Sequence, residues 1–163
     1  AAMNPCPCGY FGDRRRSCRC SPQQIRQYQA KISGPLLDRI DLHIEVPSVK
    51  YRALADSRTG ESSAAVKKRV SEARAVQKKR FGNAAVTTNA RMTEQQIRAF
   101  CAIDEASHQL MEMAIEKLGL SARAMNRILK VSRTIADLDG REKIDSAHVA
   151  EAISYRSLDR SLV

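Results

Sequence analysis

Apolar residues in the second half of the chain recur every three or four positions, which is the spacing of one face of a helix. A residue suited to the N-cap position precedes each of four such runs: Thr93, Asp104, Ser121 and Asp145. The runs are joined by only a few residues, and a glycine follows two of them. Residues 93–155 are therefore predicted to form a compact unit of about four helices, the part of the chain most able to fold alone.

A longer helix is predicted from Glu61 to Phe81, ending at Gly82. The helical period places three apolar residues on one of its faces: Val66, Val70 and Ala73. A second face carries three basic residues: Lys67, Arg74 and Lys78. The helix is thus amphipathic and basic, and a shorter helix is predicted over residues 25–32.

One segment has the alternating pattern of a β-strand rather than a helix. From Ile40 to Val46 apolar and polar residues alternate strictly, with His43 on the exposed side, and Pro47 closes the run. No second alternating run occurs in the chain, so this strand is expected to be the edge of a sheet whose remainder is absent. The fold class predicted from the pattern is mainly α, with one orphan strand.

The first 22 residues are rich in proline, glycine and cysteine and are predicted to form a loop held by something other than a core. Four cysteines lie there in a C-x-C…C-x-C arrangement: Cys6, Cys8, Cys18 and Cys20. Four thiolates so close together favour a tetrahedral zinc site, with nearby arginines helping to keep them ionised. Two disulfides or an iron-sulfur cluster remain alternatives. The fifth cysteine, Cys101, is predicted to lie in the core.

Charge is distributed unevenly along the chain. The net charge is +10, and residues 1–81 hold 17 Lys and Arg against 7 Asp and Glu, whereas residues 82–163 hold 11 of each. A polyanion such as DNA would therefore meet the basic helix and the cysteine-rich loop first. A merely solvated basic face is the alternative interpretation.

Several function classes are excluded by what the sequence lacks. Aromatic residues make up 4% of the chain, with no Trp, too few for a surface that stacks single-stranded bases. There is no apolar run of membrane-spanning length and no secretory signal, so an intracellular protein without a membrane partner is expected. No glycine-rich phosphate loop or nucleophile and base pair is present, so the chain is expected to have no complete active site.

Two arginines stand out by their positions. Arg39 lies between a turn and the predicted strand, from where its guanidinium can project beyond the domain edge. Arg123 lies in the first turn of the helix capped by Ser121, where it and the helix N-terminus could both address a phosphate. A salt bridge or a plain surface position is the alternative for each.

Four stretches are long and specific enough to compare with known families: AAMNPCPCGY, ISGPLLDRIDLHIEVP, GESSAAVKKRV and LSARAMNRILKVSRTIADL. In this order they resemble the C-terminal half of the magnesium-chelatase-like AAA+ ATPases of the ComM and YifB type. The resemblance implies a bacterial cytoplasmic protein linked to DNA processing in natural transformation, working as a hexameric, ATP-driven motor on branched DNA. It does not imply magnesium chelation itself.

The resemblance also implies roles for individual residues. Asn4 would be the sensor-1 residue that orients the attacking water, and Arg39 the arginine finger that reaches the neighbouring subunit's ATP. Arg123 would be the sensor-2 arginine that contacts the phosphates in its own subunit. The phosphate loop and the acidic, magnesium-binding strand should precede Ala1, so ATP and magnesium are expected only in a full-length protein.

By this resemblance the chain divides into three parts. Residues 1–47 would be the end of an AAA+ α/β core with the four-cysteine knob, residues 48–92 a linker and the basic helical insert, and residues 93–163 the helical lid. The fragment alone is expected to lack catalytic activity. The alternative hypothesis is a self-contained nucleic-acid-binding adaptor, in which the knob and the basic helix bind DNA and the four-helix unit docks a protein.

Overall fold

A computed structural model of the chain describes residues 1–49, 60–82 and 86–156. Across these ranges the backbone forms seven α-helices and one short 3₁₀ turn, without a β-strand. In chain order the helices are α1 (Pro22–Gln29), α2 (Gly34–Leu37), α3 (Ser63–Phe81), α4 (Glu94–Phe100), α5 (Glu105–Leu118), α6 (Ala122–Leu138) and α7 (Ser146–Ser154), with the 3₁₀ turn at Asn89–Arg91. The mainly α-helical fold class is confirmed.

Helix α6 is the centre of the molecule. It packs against α3, α4, α7 and the 3₁₀ turn, and α5 packs against α7. The core between these helices is a single apolar cluster: Phe81, Met92, Ile97, Cys101, Met111, Ala114, Leu118, Leu120, Ala124, Ile128, Ala136, Ile144, Val149 and Ala152. Cys101 is thus a core residue, as predicted.

Each predicted N-cap residue caps its helix. The side chains of Thr93, Asp104, Ser121 and Asp145 accept hydrogen bonds from backbone N–H groups in the first turns of α4, α5, α6 and α7. Thr93 and Gln96 form the capping box that their spacing predicts. Each helix of the four-helix unit of residues 93–155 therefore begins where a side chain satisfies a backbone N–H group.

The strand predicted from Ile40 to Val46 is not formed in the described structure. Burial there is the reverse of the prediction, because His43 is 5% exposed while Ile44 and Val46 are 68% and 86% exposed. The described residues offer no second strand, so the segment pairs with the helical unit instead. The backbone N–H of His43 donates to the carbonyl oxygen of Tyr155 at 2.7 Å, which draws His43 inward.

Only the second half of α3 packs against the core. Ala73, Gln77 and Phe81 are buried, whereas Val66 and Val70, on the same face, are 38% and 47% exposed. The first half of the helix therefore stands clear of the described part of the protein. None of the helices described is long and apolar enough to cross a membrane.

A candidate metal centre and two polar clamps

The four cysteines of the N-terminal loop converge on one point. The Sγ atom of Cys6 lies 3.4 Å from that of Cys8 and 3.7 Å from that of Cys18, and the Sγ atoms of Cys8 and Cys18 are 3.6 Å apart. With Cys20 included, all four sulfur atoms lie within 4.8 Å of one another. Zinc–sulfur bonds of about 2.3 Å in a tetrahedron require sulfur atoms roughly 3.8 Å apart. The spacing of the sulfur atoms therefore fits a metal ion bound by four thiolates.

Backbone geometry brings the cysteines together. Gly9 and Gly12 adopt φ angles of 81° and 82°, in the left-handed region where glycine carries no penalty. The carboxylate of Asp13 accepts hydrogen bonds from the N–H groups of Arg15 and Arg16, which closes the turn between the two cysteine pairs. Helix α1 braces the loop, since the Gln29 side chain donates to the carbonyl oxygen of Pro5.

Backbone N–H groups, rather than the predicted arginine side chains, favour the thiolate form. The N–H groups of Arg19 and Tyr10 lower the pKa of Cys8 to about 6. The N–H of Cys20 also points at Cys18, yet burial and the neighbouring sulfur atoms raise the pKa of Cys18 to about 12. The Arg16 guanidinium instead donates to the Tyr10 hydroxyl and lies over its ring. The pKa of Cys6 is lowered like that of Cys8, whereas burial raises the pKa of Cys20 like that of Cys18. A cation at the centre would favour the thiolate form of all four.

The three basic residues predicted to share a face of α3 are all exposed on that helix: Lys67, Arg74 and Lys78. At 1.5 Å per residue, they span roughly 16 Å of helix. Arg69, on a different face, is held by a bidentate pair with Glu61 at 2.6 and 3.0 Å. The row of three is therefore positioned to follow an extended anion.

A buried ionic cluster fixes the end of α3 to α6. The carboxylate of Asp137, fully buried, accepts from both terminal nitrogens of Arg80, from Nε of Arg133 and from Nδ2 of Asn89. Arg80 also donates to Oδ1 of Asn89 at 2.9 Å. We call these four residues the lid clamp, because they join α3, the 3₁₀ turn and α6 through one carboxylate.

The lid clamp also orders the chain beyond α6. The terminal nitrogens of Arg133 donate to the carbonyl oxygens of Glu142 and Arg141 at 2.7 and 2.6 Å. Burial alone would raise the pKa of Asp137, but hydrogen bonds from Arg80 and Asn89 and the charges of the two arginines hold it below its ordinary value. The carboxylate is therefore ionised at neutral pH.

A second set of polar contacts attaches residues 38–41 to the first half of α6 and to Arg156. The carboxylate of Asp38 accepts from the Ser121 hydroxyl at 2.9 and 3.0 Å, and Asp41 pairs with Arg127. Arg156, buried behind them, donates to the carbonyl oxygen of Ile40 at 2.5 Å. We call this set the α6 N-terminal clamp.

The α6 N-terminal clamp borders an open cavity of about 360 Å³, which one of the two predicted phosphate-directed arginines lines. Arg123 lines the cavity at the N-terminus of α6, opposite Pro35 and Asp38. Arg39 is exposed, and its guanidinium donates to the carbonyl oxygen of Pro35 at 2.7 Å. Asn4 lies apart from this set in the cysteine loop, exposed, with its side chain close to Gly9.

Sequence patterns did not reveal either clamp. Arg133 and Asp137 lie four residues apart on the buried stripe of α6, where an apolar residue is normally expected. The presence of two charged residues on a stripe of otherwise apolar positions was the only local sign that a buried ion pair forms there. Their partners Arg80 and Asn89 come from 48 or more residues away, and no local pattern connects them.

Comparison with known proteins covers both halves of the chain. Residues 1–54 match the family model of magnesium chelatase, subunit ChlI, and residues 60–156 match the model of the C-terminal part of that subunit. The chain is 44% identical to competence protein ComM of Haemophilus influenzae over 99% of its length, and 43% identical to YifB of Escherichia coli over 100%. Protein Mb2921c of Mycobacterium bovis is 34% identical over 95%. The chain spans 31%, 31% and 30% of these three proteins.

Proposed function

We propose, from the premise that this chain belongs to the magnesium chelatase ChlI family in its ComM and YifB branch, that it forms the C-terminal part of an AAA+ motor acting on DNA. The motor would be a hexameric ring in the bacterial cytoplasm, of the branch-migration or helicase type, driven by ATP and magnesium held by the rest of the protein. The name of the relative ComM, a competence protein, supports a place in natural transformation.

The observation that carries the proposal is the connection between a basic row and a phosphate-directed arginine. Lys67, Arg74 and Lys78 stand exposed on α3, and the lid clamp joins α3 to α6. Arg123 lies at the opposite end of α6, where the helix N-terminus favours an anion. One continuous helix thus links a surface suited to DNA with a surface suited to nucleotide.

In this proposal each arginine acts where negative charge develops or accumulates. Arg39, exposed at the end of α2, would enter the neighbouring subunit's site as an arginine finger and stabilise the transition state. Arg123 would contact the nucleotide phosphates of its own subunit, and Asn4 would orient water. The four cysteines would hold a structural zinc ion that stiffens the loop carrying Asn4.

A salt titration of DNA binding tests the role of α3. The affinity of the chain for DNA should be independent of sequence and should fall steeply as the salt concentration rises. Replacing Lys67, Arg74 and Lys78 with alanine should reduce the slope of log affinity against log salt concentration by about 1 per removed phosphate contact. Matched controls come from the electrically balanced half: Arg98, Lys117 and Lys143, all exposed. Equal losses in both triple variants, measured by fluorescence anisotropy at two salt concentrations, would contradict a specific role for α3.

The self-contained adaptor is the second candidate, because the cysteine cluster and the basic row lie within this one chain. ATPase measurements on the full-length protein separate the two. As a motor, it should lose about 10³-fold or more of its turnover with Arg39→Ala while retaining ATP binding. An adaptor would bind DNA equally well with and without ATP, and Arg39→Ala would change nothing.

A further inference from the structure

The segment that carries Arg39 and the helix that carries Arg123 share a side-chain contact next to both arginines in sequence. Both carboxylate oxygens of Asp38 lie within hydrogen-bond distance of the Ser121 hydroxyl, at 2.9 and 3.0 Å. Asp38 is adjacent to Arg39 in sequence, and Ser121 is two residues before Arg123. The contact is therefore within two residues of each arginine in sequence.

The Ser121 hydroxyl has two partners that require opposite roles. It accepts a hydrogen bond from the backbone N–H of Ala124 at 3.1 Å, which caps α6, and it donates its proton to Asp38. Because a carboxylate can only accept, Asp38 directs the hydroxyl proton away from the helix and leaves a lone pair for the cap. A shift of the first turn of α6 would thus be transmitted to Asp38.

Asp38 is itself supported on its other side. The Arg156 guanidinium, 1% exposed, lies 3.8 Å from the Asp38 carboxylate and donates to the carbonyl oxygen of Ile40. The Arg39 guanidinium donates a hydrogen bond to the carbonyl oxygen of Pro35 in α2, the short helix that Asp38 follows. Movement of Asp38 therefore carries the base of the Arg39 side chain with it.

We infer that Asp38 is a positioning residue that holds Arg39 and Arg123 in one fixed arrangement through the hydroxyl of Ser121. This inference rests on the proposed function, since it assigns the contact a role in ATP turnover. Asp38 does not touch phosphate; it acts through the placement of the two arginines.

Steady-state ATP hydrolysis and ATP binding by the full-length protein test this inference. Asp38→Ala should lower kcat by between about ten- and a hundredfold, the effect of a small misplacement of catalytic groups, with a smaller effect on the ATP dissociation constant. Asp38→Ala also deprives buried Arg156 of a partner, so Ser121→Gly is the second variant. Glycine is a good N-cap but cannot donate to Asp38.

The expected pattern is an equal loss of kcat in Asp38→Ala and Ser121→Gly, and no further loss in the double variant. Ser121→Thr, which restores a hydroxyl, should rescue turnover. Glu45→Ala, an exposed carboxylate in the same segment, is the matched control and should leave kcat unchanged. Thermal unfolding of every variant checks that the fold is intact.

Three results would overturn the inference, and they are distinguishable. If Arg39→Ala is inactive while Ser121→Gly turns over like the wild type, or if the losses of the two single variants multiply, the Asp38 contact has no positioning role. If Arg39→Ala hydrolyses ATP at the wild-type rate, the proposed function is wrong, and the inference that rests on it is wrong as well.

Discussion

Removal of the Asp137 side chain is the most informative single perturbation of this fold. Asp137→Ala leaves two guanidinium groups without their carboxylate in the interior, where the Arg133 side chain is 3% exposed and that of Arg80 is 13% exposed. Removing one partner of a buried ion pair costs about 3–5 kcal/mol, because the remaining charge is neither solvated nor paired. Asn89, 1% exposed, loses a partner as well.

This cost is large compared with the stability of a small domain, about 5–15 kcal/mol. The free energy of unfolding of the chain, from urea titrations followed by far-UV circular dichroism, should fall by at least about 3 kcal/mol in Asp137→Ala. The control is Asp139→Ala, two residues away, whose carboxylate and partner Arg141 are 59% and 68% exposed. That exposed pair should contribute less than about 1 kcal/mol.

The dependence on pH gives an independent test of the same carboxylate. Because the folded-state pKa of Asp137 is lowered, its stabilisation is complete above the unfolded pKa and is lost as pH falls below about 4. Asp137→Asn should therefore lose less stability between pH 5 and pH 3 than the wild type does. If Asp137→Ala costs no more than Asp139→Ala, or if Asp137→Asn has the wild-type pH profile, the lid clamp does not hold the fold together as argued.

Three other parts of the structure give further predictions. Elemental analysis should find about one zinc ion per chain, lost in Cys6→Ser and kept in Cys101→Ser; four freely titratable thiols and no metal would refute the site. Phe81→Ala should cost about 3–5 kcal/mol in the same urea titration, because this buried ring packs edge-on against Phe100, whereas Phe11→Ala, at a half-exposed ring, should cost under about 0.5 kcal/mol. Gly119→Ala should lower stability by about 1 kcal/mol, since the C-cap of α5 has a φ of 61°; an unchanged midpoint would contradict that conformation.

Local chemistry accounts for the features that the sequence predicts well. Thr93, Asp104, Ser121 and Asp145 each cap a helix through bonds that span three residues or fewer, so their signal lies within one turn of sequence. The four cysteines are likewise close in sequence, and their spacing alone indicates a cluster. The starts of the helices and the candidate metal centre could therefore be predicted from the sequence.

Features that depend on partners far away in the sequence could not be predicted. The alternation from Ile40 to Val46 is a real β pattern, but a strand requires a neighbour to satisfy its backbone, and the described residues supply Tyr155 instead. The structural role of Asp137 depends on its ion pair with Arg80, which lies 57 residues earlier in the chain. Of the predicted apolar face of α3 only Ala73 is buried, and Val66 shows that a face can be apolar without being covered by the described residues.

The first half of α3, which none of the described residues covers, has a mechanical consequence. From the clamped Arg80 to Ser63 the helix extends about 25 Å, so it acts as a lever arm whose pivot is its buried end. A rotation of α6 by about 10° would sweep the free tip through roughly 4 Å, while one nucleotide step along a DNA strand is about 3.4 Å. In the proposed motor, a small tilt of α6 would thus displace Lys67, about 20 Å from the pivot, by about one base step, and Lys78, beside the pivot, by far less.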